Sequence, residues 1–365
     1  MASSAPPSLD GRAMSYMFLL ALQFGFQPAL TRQFTPSGIN RSTVILVQEI
    51  MKFGFAASML RLSSTPDEIA KLYQRWSLGE WFQVAAVPAG LYAVQNVAAL
   101  TAYQHLDALT FNVLNQTKTL SAALCCYVVM GRRQSVMQVL ALLLLLVSAL
   151  IMEGVLPLPG SDGSTSTSSS SSSEDDTQSN WDTQHLTYGV FPILLASFIS
   201  GLAGALSQKN LQSAGGGRNP YQFSMELCAA SATMLGLKLA VNSISSGHNN
   251  SKSVIGGGSM WEGWTLATLI PIATNSAGGI VVGLVTKYAG SVRKGFALIF
   301  GILLSGLVQE FVTKEEGGGS VRPEQIVGGL IAAVSLYLHA TNPPRPSTSS
   351  SPSSSSSVDD TKKTN

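Results

Sequence analysis

Residues 111–125 read FNVLNQTKTLSAALC, which is apolar enough for the middle of a membrane-spanning helix yet carries Lys118 near its centre. A lysine there costs about 2.5–3.5 kcal/mol on insertion scales, so it has to face a partner or a watery cavity. At helical spacing Lys118 belongs to a stripe of polar and small residues. The stripe consists of Phe111, Asn115, Lys118, Ser121, Ala122 and Cys125. This stretch predicts a helical membrane protein with a polar internal face.

The composition of the whole chain also indicates a membrane protein. Of its 365 residues, 45% are hydrophobic and only 12% are charged, against about 25% charged in soluble globular proteins. The net charge of +2 is too small to indicate a nucleic-acid partner. Cys125, Cys126 and Cys228 lie in apolar runs, so we expect small core residues and no disulfide framework.

Ten windows of the sequence meet the length requirement for a membrane crossing. A hydrocarbon core of about 30 Å needs roughly 20 mainly apolar residues in a helix, because lipid offers the backbone no hydrogen-bond partners. The windows are 13–31, 41–61, 82–103, 108–130, 136–158, 188–210, 222–243, 262–286, 295–313 and 323–341. We expect Pro88 to break the third window. The predicted fold class is all-α, with ten transmembrane helices.

A Ser-rich, acidic segment at 159–187 separates the windows into two groups of five. It has no lysine or arginine and cannot bury a core, so we expect a disordered loop. The chain is thus predicted to consist of a tail (1–12), a first half (13–158), this loop, a second half (188–341) and a disordered tail (342–365).

The two halves share an internal sequence similarity. Tyr103 and Phe111 in the first half stand at the same spacing as Tyr288 and Phe296 in the second. Five helices per half require the second half to be inverted in the membrane relative to the first. Inverted repeats are typical of alternating-access carriers, whose substrate sites lie near the midplane.

Lysine and arginine are distributed unevenly between the two predicted sides of the membrane. With a cytosolic N-terminus, fourteen lie on the cytosolic side, five lie opposite and three fall within windows. Positive charge is enriched in cytosolic loops, so both termini and both tails are predicted to be cytosolic and the loop at 159–187 lumenal. The last four residues, KKTN at 362–365, match a dilysine retrieval signal of early secretory membranes, with a chance ending as the alternative.

The window before Lys118 offers a second polar face. Its members are Tyr92, Gln95, Asn96, Ala99 and Tyr103. No acidic residue lies within a turn of Lys118 or on this face. Its charge therefore requires either an anionic ligand or a distant carboxylate such as Glu226.

Two further charged groups lie inside or beside the windows. Glu49 and Lys52 are three residues apart, so they can neutralise each other on one helix face, although a direct substrate role is the alternative. Lys294 stands where the ninth window begins, between Arg293 and the flexible Gly295. A cation beside a helix N-terminus favours phosphate binding, whereas ordinary flanking charge is the alternative.

A small-residue patch at 275–279 reads NSAGG and contains Asn275, Gly278 and Gly279. Such a patch admits another helix backbone or a flat nucleobase, and helix packing explains it equally well.

Several stretches resemble the nucleotide-sugar transporters that carry CMP-sialic acid, UDP-galactose and UDP-N-acetylglucosamine. GLYAVQN (90–96) and LDALTFNVLNQTKTLSAAL (106–124) resemble the motif aromatic-x-x-Gln-Asn followed by Gln-x-Lys-x-x-x-x-Ala-Leu. QEIMK (48–52), SGLAG (200–204) and NSAGGIVVGLVTKYAGSVRKGFA (275–297) are similar to three further signatures, in the family's order.

The resemblance implies a fold of ten helices in two inverted repeats. It also implies an antiporter of the Golgi or ER membrane that exchanges a cytosolic nucleotide sugar, a UDP-sugar favoured, for a lumenal nucleoside monophosphate. By motif, Lys118 and Lys294 would hold the phosphates, and the other binding residues would surround the nucleotide. These others are Tyr92, Gln95, Asn96, Phe111, Asn115, Asn275, Gly278 and Gly279.

The chain departs from the family pattern at a few positions. Leu206 and Gln208 replace the usual Tyr and Glu, Gly290 and Ser291 replace Asp and Asn, and Phe111 replaces Tyr. Sugar and base preference are therefore open, with a CMP-sialic-acid carrier as one alternative.

Two functions other than nucleotide-sugar transport are alternatives. The chain could be a carrier of another organic anion or a non-transporting scaffold for glycosylation enzymes. HExxH, DxD and nucleophile-elbow motifs are missing near a membrane face, so we expect no enzyme. Neither cofactor nor metal is expected. Expected partners are the nucleotide sugar, the monophosphate and the lipid bilayer, with a homodimer or an association with glycosyltransferases left open.

Overall fold

A computed structural model describes residues 10–36, 38–106, 108–152, 185–213, 217–246, 261, 263–313 and 323–342. Most of the Ser-rich loop predicted at 159–187, most of the C-terminal tail and the dilysine ending lie outside these residues. The α-helices are α1 (Gly11–Phe34), α2 (Arg41–Ser63), α3 (Pro66–Gln74), α4 (Leu78–Trp81), α5 (Val87–His105), α6 (Ala108–Gln116), α7 (Lys118–Met130), α8 (Val136–Met152), α9 (Phe191–Leu211), α10 (Pro220–Ser246), α11 (Leu269–Tyr288), α12 (Ser291–Thr313) and α13 (Pro323–Thr341). The end of the predicted Ser-rich loop is helical, because His185–Val190 forms a π-helix that leads into α9.

The helices confirm an all-α membrane protein. Six segments of the described chain are long and apolar enough to cross a membrane. They are Gly11–Phe34, Ser42–Ser63, Leu78–His105, Leu186–Leu211, Leu266–Tyr288 and Ser291–Val308. Each of the ten predicted windows contains helix, and the bounds shift by a few residues.

Helix packing brings the two halves of the sequence together. Helix α1 packs against α11 and α12, and α9 packs against α5 and α7. Helix α2 packs against α10 and α11, α10 also contacts α5, and α8 packs against α13. The main core contains Leu20, Leu145, Val285 and Phe296, all fully buried. Residues far apart in sequence therefore meet throughout the bundle.

Pro88 does not break the third window, contrary to the prediction. Proline lacks an N–H, and its ring clashes with the carbonyl four residues earlier in a regular α-helix. The backbone becomes a π-helix over Phe82–Ala86, just before the proline. The carbonyl of Val84 accepts a hydrogen bond at 3.2 Å from Asn210 Nδ2 of α9. A wider turn and a partner from another helix thus allow one segment to run from residue 78 to residue 105.

The fourth window is not one uninterrupted helix, because α6 ends at Gln116 and α7 begins at Lys118. At the junction the Thr117 N–H and hydroxyl both donate to the Leu114 carbonyl, at 3.1 and 2.6 Å. Ser197 of α9 donates to the same carbonyl at 3.5 Å. The backbone nevertheless stays helical here, because Thr117 has helical φ and ψ and its carbonyl accepts from the Ser121 N–H at 3.0 Å. Lys118 therefore lies just after a local irregularity in this window.

We predict that Gly201→Ala weakens the packing of α9 on α7. A Cβ at this position would lie 2.6 Å from the Ser121 carbonyl carbon and 2.7 Å from the Ala122 nitrogen, both backbone atoms. Because backbone cannot yield as a side chain does, overpacking should cost about 1–3 kcal/mol. Thermal unfolding of the purified protein in detergent measures this loss. The matched control is Gly54→Ala on α2, where the space is open; equal stability of the two variants would contradict the prediction.

Candidate functional site

Lys118 and Lys294 lie on helices α7 and α12, which contact each other. They belong to the first turns of α7 and α12, which approach closely at Gly295. A Cβ on Gly295 would lie 2.7 Å from Thr119 Oγ1. Both lysines are half-buried, and the salt bridges of the described residues involve neither. The structure thus brings two lysines, from opposite halves of the sequence, close to one contact between helices.

Gly295 is a packing residue and not the flexible one that was predicted. It lies inside α12, which starts at Ser291, four residues before the predicted start. Gly290 has φ +92°, a left-handed conformation that glycine adopts without strain. A Cβ there would also lie 2.9 Å from Gln208 Nε2. The sharp turn at Gly290 therefore sets where α12 begins and, with it, the position of Lys294.

Gln208 of α9 holds the start of α12. Its Oε1 accepts a hydrogen bond from the Ser291 N–H at 2.8 Å, and Ser291 Oγ donates to the Gly204 carbonyl at 2.7 Å. Gln208 Nε2 in turn donates to Gln212 at 3.0 Å. Gln212 also accepts from Arg132 at 2.7 Å. The departure at Gln208 thus has a structural role, because a neutral amide can both accept from Ser291 and donate to Gln212.

The patch on α11 packs against α1 and α2. Asn275 Nδ2 donates to Gln48 Oε1 at 2.8 Å. A Cβ at Gly278 would lie 2.4 Å from Gln23 Cδ, and one at Gly279 would lie 2.7 Å from Lys52 Cδ. The close neighbours of the two glycines are therefore ends of long side chains. Sequence reasoning missed Gln23 and the role of Gln48, although a glutamine inside an apolar window was the available signal.

Glu49 and Lys52 form the predicted ion pair. The distance from Lys52 Nζ to Glu49 Oε1 is 2.7 Å, and both side chains are largely buried. Because Lys52 also lies against Gly279, the pair borders the α11 patch. The charge of Lys52 is thus compensated within α2.

The predicted aromatic and amide residues of α5 and α6 differ in exposure. Tyr92 and Gln95 are half-buried, whereas Asn96 is exposed. Phe111 is half-buried and makes an edge-on contact with Tyr103, with ring centroids 5.2 Å apart. Asn115, one turn before Lys118, is half-buried too. The described contacts therefore link Phe111 to α5, while the roles of the other residues remain predictions.

Glu226 is not the partner of Lys118. Arg218 donates hydrogen bonds to both carboxylate oxygens of Glu226, from Nε at 2.7 Å and from Nη2 at 2.6 Å. Arg218 Nη1 also donates to Glu80 at 2.5 Å, and the Trp81 indole donates to the Glu226 carbonyl at 3.2 Å. Burial disfavours the charge on Arg218, yet the two carboxylates outweigh burial and raise its pKa. The ion cluster ties α4 to α10 and does not include Lys118.

Comparison with known proteins identifies related chains. The model of a family described as "Nucleotide-sugar transporter" matches residues 20–337. The UDP-N-acetylglucosamine transporter ROCK1 of Arabidopsis thaliana is 32% identical over 84% of this chain and 86% of its own. The UDP-N-acetylglucosamine transporter of Mus musculus is 25% identical over 71% of each chain.

A solved crystal structure also resembles this fold. It is 14% identical, covers 90% of this chain and 97% of its own, and has a TM-score of 0.55. At that identity the likeness concerns the fold alone. Together with the apolar helices, the related chains establish a multi-pass membrane protein.

Proposed function

The chain belongs to the nucleotide-sugar transporter family, and on that basis we propose that it exchanges a cytosolic UDP-sugar for a lumenal nucleoside monophosphate. UDP-N-acetylglucosamine is the first candidate substrate, because two relatives carry it in their names. The membrane is that of the Golgi or the ER. The dilysine ending at 362–365, which would favour the ER, lies outside the described residues.

The observation that carries this proposal is the proximity of Lys118 and Lys294. Both lysines are half-buried on helices that contact each other, and like charges in such a place repel each other. A diphosphate would replace that repulsion by attraction, since ammonium groups bind phosphate oxygens as strong point charges. Each such charged hydrogen bond contributes about 1.5–3 kcal/mol. Two of them supply much of the roughly 4–8 kcal/mol that millimolar to micromolar binding requires.

The nucleotide end of the substrate would lie among the other predicted residues. Tyr92, Gln95, Asn96 and Phe111 would surround the base and ribose, and Asn115 would add a polar group beside Lys118. The α11 patch of Asn275, Gly278 and Gly279 would lie against the nucleotide. The ends of Gln23 and Lys52 lie against these glycines, so we expect both side chains to move aside when the nucleotide binds.

Ten membrane crossings in two inverted repeats, 13–158 and 188–341, would provide alternating access. The packing pattern supports this proposal. If α1, α2, α5, α7 and α8 correspond to α9, α10, α11, α12 and α13, each of the larger contacts between the two halves has its counterpart. The α1–α12 contact corresponds to α9–α7, α1–α11 to α9–α5, and α2–α11 to α10–α5, while α2–α10 and α8–α13 are self-paired. Lys118 and Lys294 then lie on corresponding helices of the two repeats, and carriers of this architecture bind substrates at the interface between repeats.

Competition for uptake tests the substrate. Purified protein in vesicles preloaded with UMP or CMP is given labelled UDP-N-acetylglucosamine, with unlabelled UDP-galactose or CMP-sialic acid as competitors. We expect uptake to be driven by UMP and inhibited by UDP-sugars more strongly than by CMP-sialic acid. Uptake driven by CMP alone would replace the proposal with a CMP-sugar carrier. Absence of uptake for every nucleotide sugar would favour a carrier of another anion or a scaffold.

A further inference from the structure

The nine-residue helix α3 (Pro66–Gln74) forms in the link between two membrane-spanning segments. Local sequence encodes it through a capping box. The Glu68 N–H donates to Thr65 Oγ1 at 3.4 Å, and the Thr65 N–H donates to Glu68 Oε2 at 2.9 Å. Pro66 occupies the first position, where its missing N–H costs nothing. The helix therefore needs no tertiary contact to start.

Helix α3 and the turn after it are amphipathic. At 100° per residue, Ile69, Leu72, Tyr73 and Trp76 share one face. Asp67, Glu68, Lys71, Gln74 and Arg75 occupy the other face. The apolar face lacks full protein cover, because Tyr73 is 66% exposed and Trp76 is 42% exposed. Ile69 and Leu72 are only half-buried.

The flanking helices keep this apolar face close to the bilayer. Two residues separate α3 from α2, and three separate it from α4. An extended residue spans at most about 3.6 Å, so neither link allows α3 to move far from the helix ends. Those ends carry exposed apolar side chains, with Leu62 82%, Leu78 69% and Phe82 61% exposed. The exposed face of α3 thus continues the apolar belt of its neighbours.

We propose that α3 lies flat in the headgroup region of the bilayer, with Tyr73 and Trp76 inserted at the boundary with the acyl chains. Tyrosine and tryptophan favour that depth, because their rings are apolar and their polar atoms reach water. The formal charges of the outer face cancel, since Asp67 and Glu68 balance Lys71 and Arg75. Insertion therefore depends on the apolar face and needs no anionic lipid. Insertion of α3 holds the ends of α2 and α4 that it connects at one depth in the bilayer.

Spin-label depth measurements test this arrangement. Single cysteines replace Tyr73 or Trp76 on the apolar face, and Lys71 or Gln74 on the outer face as matched controls. The native chain is the labelling blank, because Cys125, Cys126 and Cys228 are buried. Each labelled protein is reconstituted in bilayers of phosphatidylcholine alone and in bilayers that also contain phosphatidylserine. Collision of the label with oxygen, which partitions into lipid, is compared with collision with a water-soluble nickel complex.

We expect higher oxygen-to-nickel collision ratios at positions 73 and 76 than at 71 and 74, to the same extent in both lipid mixtures. High nickel collision at all four positions would place α3 in water and overturn the proposal. Low collision with both agents at 73 and 76 would also overturn it, because a protein surface would then cover them. A depth contrast that needs phosphatidylserine would contradict insertion by the apolar face. Two positions on each face keep the test decisive if one variant folds poorly.

Discussion

Lys118→Ala is expected to reduce exchange of UDP-N-acetylglucosamine to near background while the protein remains folded. The substitution removes one of the two cations proposed to hold the phosphates, and a charged hydrogen bond contributes about 1.5–3 kcal/mol. That loss corresponds to about 10- to 150-fold weaker binding. Removing the repulsion between Lys118 and Lys294 should leave stability unchanged or raise it. Counter-flow uptake and thermal unfolding of the same preparation measure the two effects.

Controls separate charge from shape at this position. Lys118→Arg keeps the positive charge and should retain more exchange than Lys118→Ala. Lys294→Ala should resemble Lys118→Ala, because either substitution leaves one cation for the diphosphate. Native rates in both alanine variants would rule out the proposed phosphate site, even if the chain still transports a nucleotide sugar.

Glu226→Ala is expected to be the most destabilising substitution among the described ionic residues. It leaves the largely buried Arg218 with the more exposed Glu80 as its remaining carboxylate among the contacts described. Breaking a buried ion pair by removing one partner costs about 3–5 kcal/mol. A thiol-reactive dye can follow unfolding, because Cys125, Cys126 and Cys228 react only when they become exposed. The transition temperature should fall markedly.

Glu80→Ala is the matched control for this cluster. Its side chain is 48% exposed, and exposed ion pairs contribute at most about 1 kcal/mol. We therefore expect only a small change in the transition temperature. If Glu80→Ala destabilises as much as Glu226→Ala, the Arg218–Glu226 pair is not the main bond of the cluster.

The local sequence was sufficient to predict where the helices form and how one pair of charged residues is neutralised. The apolar windows predicted where helices form, because length and hydrophobicity decide this in lipid. The Glu49–Lys52 pair followed from helical spacing alone. That Lys118 lies near a second cation, and away from Glu226, could only be hypothesised from the family's motifs. Spacing within one helix carries no information on which other helix approaches it.

The details that depend on contacts between helices could not be predicted. Pro88 was expected to break a helix, yet Asn210, more than a hundred positions later, donates to the carbonyl four residues before the proline, where a regular helix would need the N–H that proline lacks. Gly295 was expected to be flexible, yet Thr119 packs against it. The Gln208 amide looked like a departure from a motif until its bond to Ser291 gave it a partner. In each case the deciding neighbour lies on another helix.

Counter-flow uptake in vesicles with and without internal UMP tests the central claim most directly. Purified protein is reconstituted, and labelled UDP-N-acetylglucosamine is added outside vesicles that contain UMP or buffer alone. The proposed exchange predicts rapid accumulation only with internal UMP, and loss of that accumulation in Lys118→Ala. Equal uptake with and without internal UMP, or no uptake in either case, would contradict exchange of a UDP-sugar for UMP.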